Sequence, residues 1–274
     1  MAGDSLMSGE LTVVVPTRNS AATLDWTLAS LSQQRKVSLR VLVVDSESGD
    51  RTLGICKFWG VNVIQEPPGN MYRAINAGLR LAETEWLSYL NSDDLVYPFS
   101  YSRMIEEGRR RGAGLVYGAC DFVDSENRFL FSRLPPAPRG LYASMKWGYL
   151  PFFQPAAIFR RAHYAQVGGF DDRYRLVGDF HFFCRLLQAG VPCARMPGPP
   201  VAAFRLHAGQ LSQAKHENRA EHRKASEALR LKTSPVDWLH LAAWKFSNVL
   251  NYTERVLRRA ALRGAPSPMA TVDS

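Results

Sequence analysis

The sequence predicts an α/β protein with a mostly parallel central sheet and flanking helices. Apolar runs of strand length alternate with helix-length amphipathic segments through the first third of the chain. Three of those runs lead directly into polar clusters rich in Ser, Asn and Asp. Strands joined through helices run parallel, and parallel strands deliver their C-terminal loops to one sheet edge.

The first run, Leu11 to Val15, leads to a helical pattern from Ala21 to Gln33 with Leu24, Leu28 and Leu31 on one face. Leu39 to Val44 is the second strand, Thr52 to Trp59 the next helix and Val61 to Gln65 the third strand. Met71 to Ala82 reads as a helix and Trp86 to Leu90 as a buried strand. Arg109, Arg110 and Arg111 end a further helix, where cations complement the helix dipole. Leu115 to Val123 and Arg128 to Ser132 flank Asp124-Ser125-Glu126-Asn127 as a hairpin, and Pro135 to Gly140 reads as an irregular connection. A second segment carries Pro155 to Arg160 as a strand, Gly168 to Asp171 as a turn, Asp179 to Gln188 as a helix and Val201 to Leu206 as a strand. From Gln213 the chain is helical and charged; it breaks near Thr233 to Pro235 and resumes as a helix to about Arg263. The organisation is therefore a domain over 1–212, a helical C-terminal extension over 213–263 and a flexible tail over 264–274.

With 274 residues, 46% hydrophobic and 22% charged, the chain has the balance of a folded globular protein rather than a disordered one. Its net charge of +9 suits phosphate-bearing ligands, anionic lipid or nucleic acid. The basic residues are dispersed and no nucleic-acid-binding motif accompanies them, which argues against nucleic acid. The four cysteines form no CxxC pair, so neither a zinc site nor a disulfide framework is indicated. Met1 to Glu10 has no apolar signal core and no run approaches spanning length, so a cytoplasmic location is expected.

The polar clusters are Pro16-Thr17-Arg18-Asn19-Ser20, Asp45 through Asp50, and Ser92-Asp93-Asp94. They converge on the carboxyl edge of the sheet, where open α/β sheets bind ligands. Thr17 and Asn19 equally suit capping of the helix near Ala21, and Asp50 is a natural cap for the helix after it. Asp45 ends its strand too early for that role. Asp93 and Asp94 are adjacent carboxylates that need a cation, donors or solvent. No GxGxxG fingerprint or GxxxxGK[ST] loop occurs, so a bound phosphate must be neutralised otherwise. A divalent metal on Asp94 meets that need.

Taken in order, these blocks resemble the family 2 glycosyltransferases, which have the GT-A fold. The resemblance runs from Leu11 to about Ser212. It rests on Val13-Val14-Val15-Pro16-Thr17-Arg18-Asn19, on Val43 to Thr52, on Met71 to Gly78 with its Asn76 and Gly78, and on Leu90-Asn91-Ser92-Asp93-Asp94. It implies an inverting, metal-dependent transfer from a nucleotide-sugar donor, a UDP-sugar first among them, to a glycan or lipid-linked acceptor in cell-surface polysaccharide biosynthesis. Carried over, Pro16, Thr17, Asn19, Asp45, Asn76 and Asp93 line the nucleotide, and Asp94 holds Mn²⁺ or Mg²⁺. His207, in a segment similar to the family's R-x-H-x-x-x-x-S ending, joins the metal or serves as a structural hydrogen bonder. Asp179 matches the catalytic carboxylate, with a helix cap as the alternative and His181 as the rival base. Gln154 and Arg73 are assigned to the acceptor or sugar, against a satisfied loop amide and a solvated helix face. Arg73 stands where a common subfamily has a carboxylate, and His181 where it has Asp, so the donor sugar is not implied.

Two readings from other classes compete: a nucleotide-binding scaffold that has lost catalysis, and a basic nucleic-acid-binding protein. Retention of Asp45, Asp93, Asp94 and Asp179 argues against the first. Over 235–263, Val236, Leu239, Ala243, Phe246 and Leu250 recur at helical spacing beside Trp238 and Trp244, with basic residues after them. Such a helix suits the inner face of an anionic membrane, or packing on the domain or on a homodimer partner.

Overall fold

The structure is a computed structural model, and it describes residues 10–148, 150–207, 215–246 and 249. In β1 (Leu11–Thr17) every residue is buried, because helices cover both faces of the strand. Alternation sends Val14 to one face with Val44, Leu87 and Tyr89, and Val13 and Val15 to the other with Val43, Trp86 and Leu90. Along the chain come α1 (Leu24–Ser32), β2 (Leu39–Asp45), α2 (Thr52–Trp59), β3 (Asn62–Gln65), α3 (Met71–Arg80), β4 (Trp86–Tyr89), β5 (Leu95–Val96) and α4 (Ser100–Arg111). Leu24, Leu28 and Leu31 are buried on one side of α1, as their spacing requires. On α3, a Cβ at Gly78 would come within 2.7 Å of Val14 and 2.9 Å of Val44, so only glycine lets this helix lie so close to the sheet.

The second half contains β6 (Leu115–Tyr117), β7 (Cys120–Val123), β8 (Phe129–Arg133), α5 (Pro138–Lys146), β9 (Ala157–Arg160), α6 (Arg161–Gln166), α7 (Gly178–Gln188), β10 (Cys193–Arg195), β11 (Ala202–Arg205) and α8 (Lys215–Ala228). Seven strands form the main sheet in the order β10-β6-β9-β4-β1-β2-β3, with β9 antiparallel to both neighbours. The sheet is thus mostly parallel with one reversed strand.

Two local expectations are corrected. Leu115 to Val123 is not one hairpin strand: it breaks at Gly118, sending β6 to the main sheet and β7 to a second sheet of order β5-β11-β7-β8. Pro138 does not end regular structure but opens α5, where its missing N–H is no loss and its fixed φ suits the first turn. The stretch from Pro155 begins as a 3-10 turn over Gln154–Ala156 before β9 starts.

The second sheet delivers residues to the acidic turn. β5 comes directly after Asp93-Asp94, and β11 returns antiparallel to it with Ala203 opposite Leu95. Two residues further on, that register carries Arg205 to Asp93. Beyond β11, Ala225 of α8 and Leu229 just after it enter the same core as α3 and α7. The extension is therefore docked on the domain at this point. A further helical run covers 235–246. Lys146 pairs with Asp237 at 3.2 Å and Trp244 Nε1 donates to the Leu134 carbonyl at 3.1 Å. Val236, Leu239 and Phe246 stay exposed. The expected helix beyond Phe246, with Leu250, and the tail over 264–274 lie outside the described residues, as do the last five residues of the His207 motif. Among the described residues no helix is long and apolar enough to cross a membrane.

Candidate active site

The three polar clusters are tied together at the carboxyl edge of the main sheet. Thr17 Oγ1 donates to Asp45 Oδ1 at 2.9 Å, the Asn19 N–H donates to Ser48 Oγ at 2.8 Å, and Asn19 Oδ1 accepts the Gly49 N–H at 2.9 Å. Ser20 Oγ meets Ser92 Oγ at 2.8 Å, joining the β1 loop to the β4 loop. Neither Thr17 nor Asn19 caps α1, whose cap position is Thr23. Asp50 instead accepts the Thr52 N–H and the Ala21 N–H, bridging two helix starts.

A cavity of about 790 Å³ opens above this edge. Pro16, Thr17, Asn19 and Asp93 line it from the sheet loops, as do His207 after β11 and Gln154 and Asp179 from the second half. Seven residues selected from sequence therefore share one wall system. Four others sit elsewhere.

Asp45 is fully buried behind that wall, where its carboxylate also accepts the Ser48 N–H at 2.9 Å and Ser48 Oγ at 2.5 Å. It fixes the loops that face the cavity. Asn76 clasps the turn before α7: its Nδ2 donates to the Phe170 carbonyl at 2.7 Å and its Oδ1 accepts the Phe170 N–H at 3.0 Å and Tyr164 Oη at 2.8 Å. Asn76, expected beside the nucleotide, is not among the residues lining the cavity. Arg73, assigned to the acceptor or sugar, pairs with Glu66 at 2.9 Å and donates to the Pro67 carbonyl at 2.7 Å, which braces the loop ahead of α3.

Asp94 is likewise fully buried. Its Oδ1 accepts the Arg205 N–H at 3.1 Å, and burial together with the neighbouring Asp93 holds its carboxyl well above the usual carboxylate range. Asp93, rather than the expected metal ligand Asp94 behind it, lines the cavity, with His207 Nε2 2.8 Å from the Asp93 Oδ2. Arg205 holds this arrangement from below, donating from Nε to the Asp93 carbonyl at 2.8 Å. Its spacing from His207 along an extended chain puts both side chains on one face, a signal present in sequence.

A divalent cation fits the chemistry of this pair. A carboxylate and an imidazole suit Mn²⁺, and Mg²⁺ also binds through one or two carboxylates while substrate phosphates complete its shell. Among the described residues no cluster of three metal-ligating side chains assembles.

Asp179 stands in the first turn of α7, and it is not the helix cap, which is Val177. Its Oδ1 lies 3.4 Å from Tyr72 Oη and accepts the adjacent Phe180 N–H at 2.7 Å. Burial raises its pKa to about 6, opposed by those hydrogen bonds. A Cβ on Gly178 would come within 2.6 Å of the Tyr72 ring, so glycine at that position allows Tyr72 against the helix start. His181, two residues on, is absent from the cavity lining and packs on Tyr174 with ring centroids 4.6 Å apart. Burial lowers its pKa to about 4, leaving it neutral near pH 7. Gln154 donates from Nε2 to the Tyr89 carbonyl, and its buried Oε1 has no partner.

Sequence reasoning missed what α8 contributes. Asn218 and His222 line the same cavity as Asp179. Between them, Glu221 accepts the N–H groups of Arg175 at 3.0 Å, Leu176 at 2.8 Å and Val177 at 3.3 Å, which are the donors exposed just ahead of α7. The charged helix carries an i, i+4 polar pair, but nothing in its sequence says which surface that pair meets.

Known proteins resemble this chain in sequence and in fold. The profile of Glycosyl transferase family 2 matches residues 12–168. A "PGL/p-HBAD biosynthesis glycosyltransferase" of Mycobacterium bovis is 26% identical over 200 residues, covering 70% of this chain and 75% of that protein. The "Succinoglycan biosynthesis protein ExoO" of Rhizobium meliloti is 29% identical over 216 residues, covering 69% of this chain and 58% of its own length. Among solved structures, S. aureus TarS 1-349 in complex with UDP-GlcNAc superposes with a TM-score of 0.65 at 16% identity, covering 84% of this chain and 69% of that one. The mannosyltransferase PcManGT from Pyrobaculum calidifontis, in complex with GDP-Man and Mn²⁺, gives 0.63 at 21% identity, covering 99% and 80%.

Proposed function

The chain belongs to glycosyl transferase family 2, and from that premise we propose that it transfers a sugar with inversion from a nucleotide-sugar donor to an acceptor hydroxyl. The observation that carries the proposal is Asp179: a half-buried carboxyl with its pKa raised to about 6, on the same cavity as the nucleotide-side loops. Only Asp93 and Asp179 supply carboxylates to the described lining. Asp93 is engaged with His207, so one carboxylate remains for proton transfer. That favours a single displacement over a covalent sugar intermediate, which needs a second carboxylate as nucleophile.

In the step proposed, Asp179 takes the proton of the acceptor hydroxyl as its oxygen bonds to the anomeric carbon. The bond from that carbon to the diphosphate breaks, and the electron pair leaves with the nucleoside diphosphate. Tyr72 Oη, close to Oδ1, favours the ionised carboxylate before the proton arrives. Thr17, Asn19 and the Ser46 region offer polar contacts to the nucleotide, and Arg18 offers charge. Asp93 and His207 would hold Mn²⁺ or Mg²⁺, which supplies charge neutralisation to the leaving diphosphate.

A UDP-sugar is the first donor to test, since TarS is described with UDP-GlcNAc, although PcManGT is described with GDP-Man. Relatives named for PGL/p-HBAD and succinoglycan biosynthesis support a glycan or lipid-linked acceptor in cell-surface biosynthesis. The exposed Val236, Leu239 and Phe246 support a peripheral seat on an anionic cytoplasmic face or a homodimer contact. Thermal protection and hydrolysis across UDP-, GDP- and dTDP-sugars with Mn²⁺ test the donor assignment, because a ligand of the native state raises Tm. Protection and turnover with one donor class support it; neither with any contradicts it.

A further inference from the structure

We propose that α8 forms the acceptor-reading wall of the cavity, with Asn218 and His222 binding the hydroxyls of a sugar-bearing acceptor. The inference rests on the glycosyl-transfer reading above and names which part of the chain selects the acceptor.

Three observations converge. First, Asn218 and His222 stand one turn apart and both line the cavity that holds Asp179. Second, the helix carrying them is fixed. Glu221 binds three backbone N–H groups ahead of α7, Gln188 Nε2 donates to the Leu229 carbonyl at 2.9 Å, and Ala225 and Leu229 are buried. The same carboxylate therefore registers α8 against the turn that presents Asp179, making Glu221 a positioning residue. Third, His222 packs edge-on against Phe180, the residue after Asp179, with ring centroids 4.6 Å apart, and its buried Nδ1 has no partner. Burial lowers its pKa, so the ring is neutral near pH 7, and a neutral imidazole is both donor and acceptor. Neutral amide and imidazole groups, each able to donate and accept, match the hydroxyls at the rim of a sugar ring. The nucleotide-side loops after β1, β2 and β4 are separate elements, so changes on α8 should act on the acceptor rather than the donor.

The test uses the full chain, the donor that wild type hydrolyses, and octyl β-glucoside, octyl β-galactoside and octyl β-N-acetylglucosaminide as acceptor probes. Asn218→Ala and His222→Ala should each raise the KM of the accepted glycoside roughly tenfold, as expected for one lost hydrogen bond in a buried setting. The donor KM should move less than about twofold, a shift too small to count as a lost contact. His222→Gln, which keeps a donor and an acceptor, should recover part of the loss. Unchanged acceptor KM in both alanine variants, or an equal rise in donor KM, overturns the role of α8. Donor hydrolysis by wild type without transfer to any glycoside overturns the sugar-acceptor assignment. Absence of nucleotide-sugar binding and hydrolysis in wild type is the distinct failure of the glycosyl-transfer reading, and this proposal falls with it.

Discussion

His207 Nε2 and Asp93 Oδ2 lie 2.8 Å apart, although 114 positions separate them in sequence. The contact exists because β11 returns beside β5, the strand that leaves the acidic turn. Asp93→Ala and His207→Ala should each weaken Mn²⁺-dependent UDP binding about 10- to 100-fold, and the double variant should lose less than the sum. Calorimetry with Mn²⁺ and with EDTA measures this. Equal UDP affinity in wild type and both variants removes the pair from the metal site.

Asp94 lies beneath the same turn, fully buried. Its side chain accepts from the Arg205 backbone and lies near the buried Arg205 cation, whose own pKa burial pushes down. Asp94→Ala should cost roughly 1–3 kcal/mol in urea unfolding, the range for stranding a buried partner. A cost near zero would show that Asp94 is not needed beneath the turn.

Thr17→Val keeps the size of the side chain and removes the donor to Asp45 Oδ1. The buried Asp45 carboxylate keeps only its Ser48 bonds, so stability should fall by about 1–2 kcal/mol. The donor KM should rise as the β1 loop loosens. A variant with unchanged stability and donor KM would contradict the view that Asp45 sets these loops.

The order of strands and helices through β4 was legible because periodicity and burial agree there: Leu24, Leu28 and Leu31 point inward as their spacing demands. Gly118 shows where this failed. Leu115 to Val123, apolar apart from Gly118 and Asp121, reads as one strand because both sheets bury it. Asn76 and Arg73 stand in blocks that resemble functional ones, yet their partners, Phe170 and Glu66, decide their tasks through tertiary contacts. Asp93 and Asp94 are adjacent in sequence, and only the return of β11 determines which faces the cavity. The role of α8 was invisible for the same reason, because Glu221 meets Leu176 through packing rather than pattern.

Asp179 also leaves a signature in stability. Its folded-state pKa is raised from 3.8 to about 6, so the folded protein holds that proton more tightly than the unfolded chain. The associated stability is complete below about 4 and is lost as pH rises through about 6. Asp179→Asn removes a buried charge, and at a pH of about 7.5 it should be more stable than wild type by on the order of 2–3 kcal/mol. The gain should vanish at a pH of about 4, where both forms are neutral. A variant less stable at both pH values would indicate a structural carboxylate.

The most direct measurement is transfer by Asp179→Asn, with donor affinity determined on the same protein. Asn keeps the shape of Asp but cannot accept the acceptor proton, so turnover should fall by roughly 10²- to 10⁴-fold while donor binding stays within about a factor of two. Wild-type turnover should rise with pH through about 6, as the carboxyl ionises. His181→Asn should change transfer far less. Near-normal turnover in Asp179→Asn, with loss in His181→Asn, would contradict Asp179 as the general base.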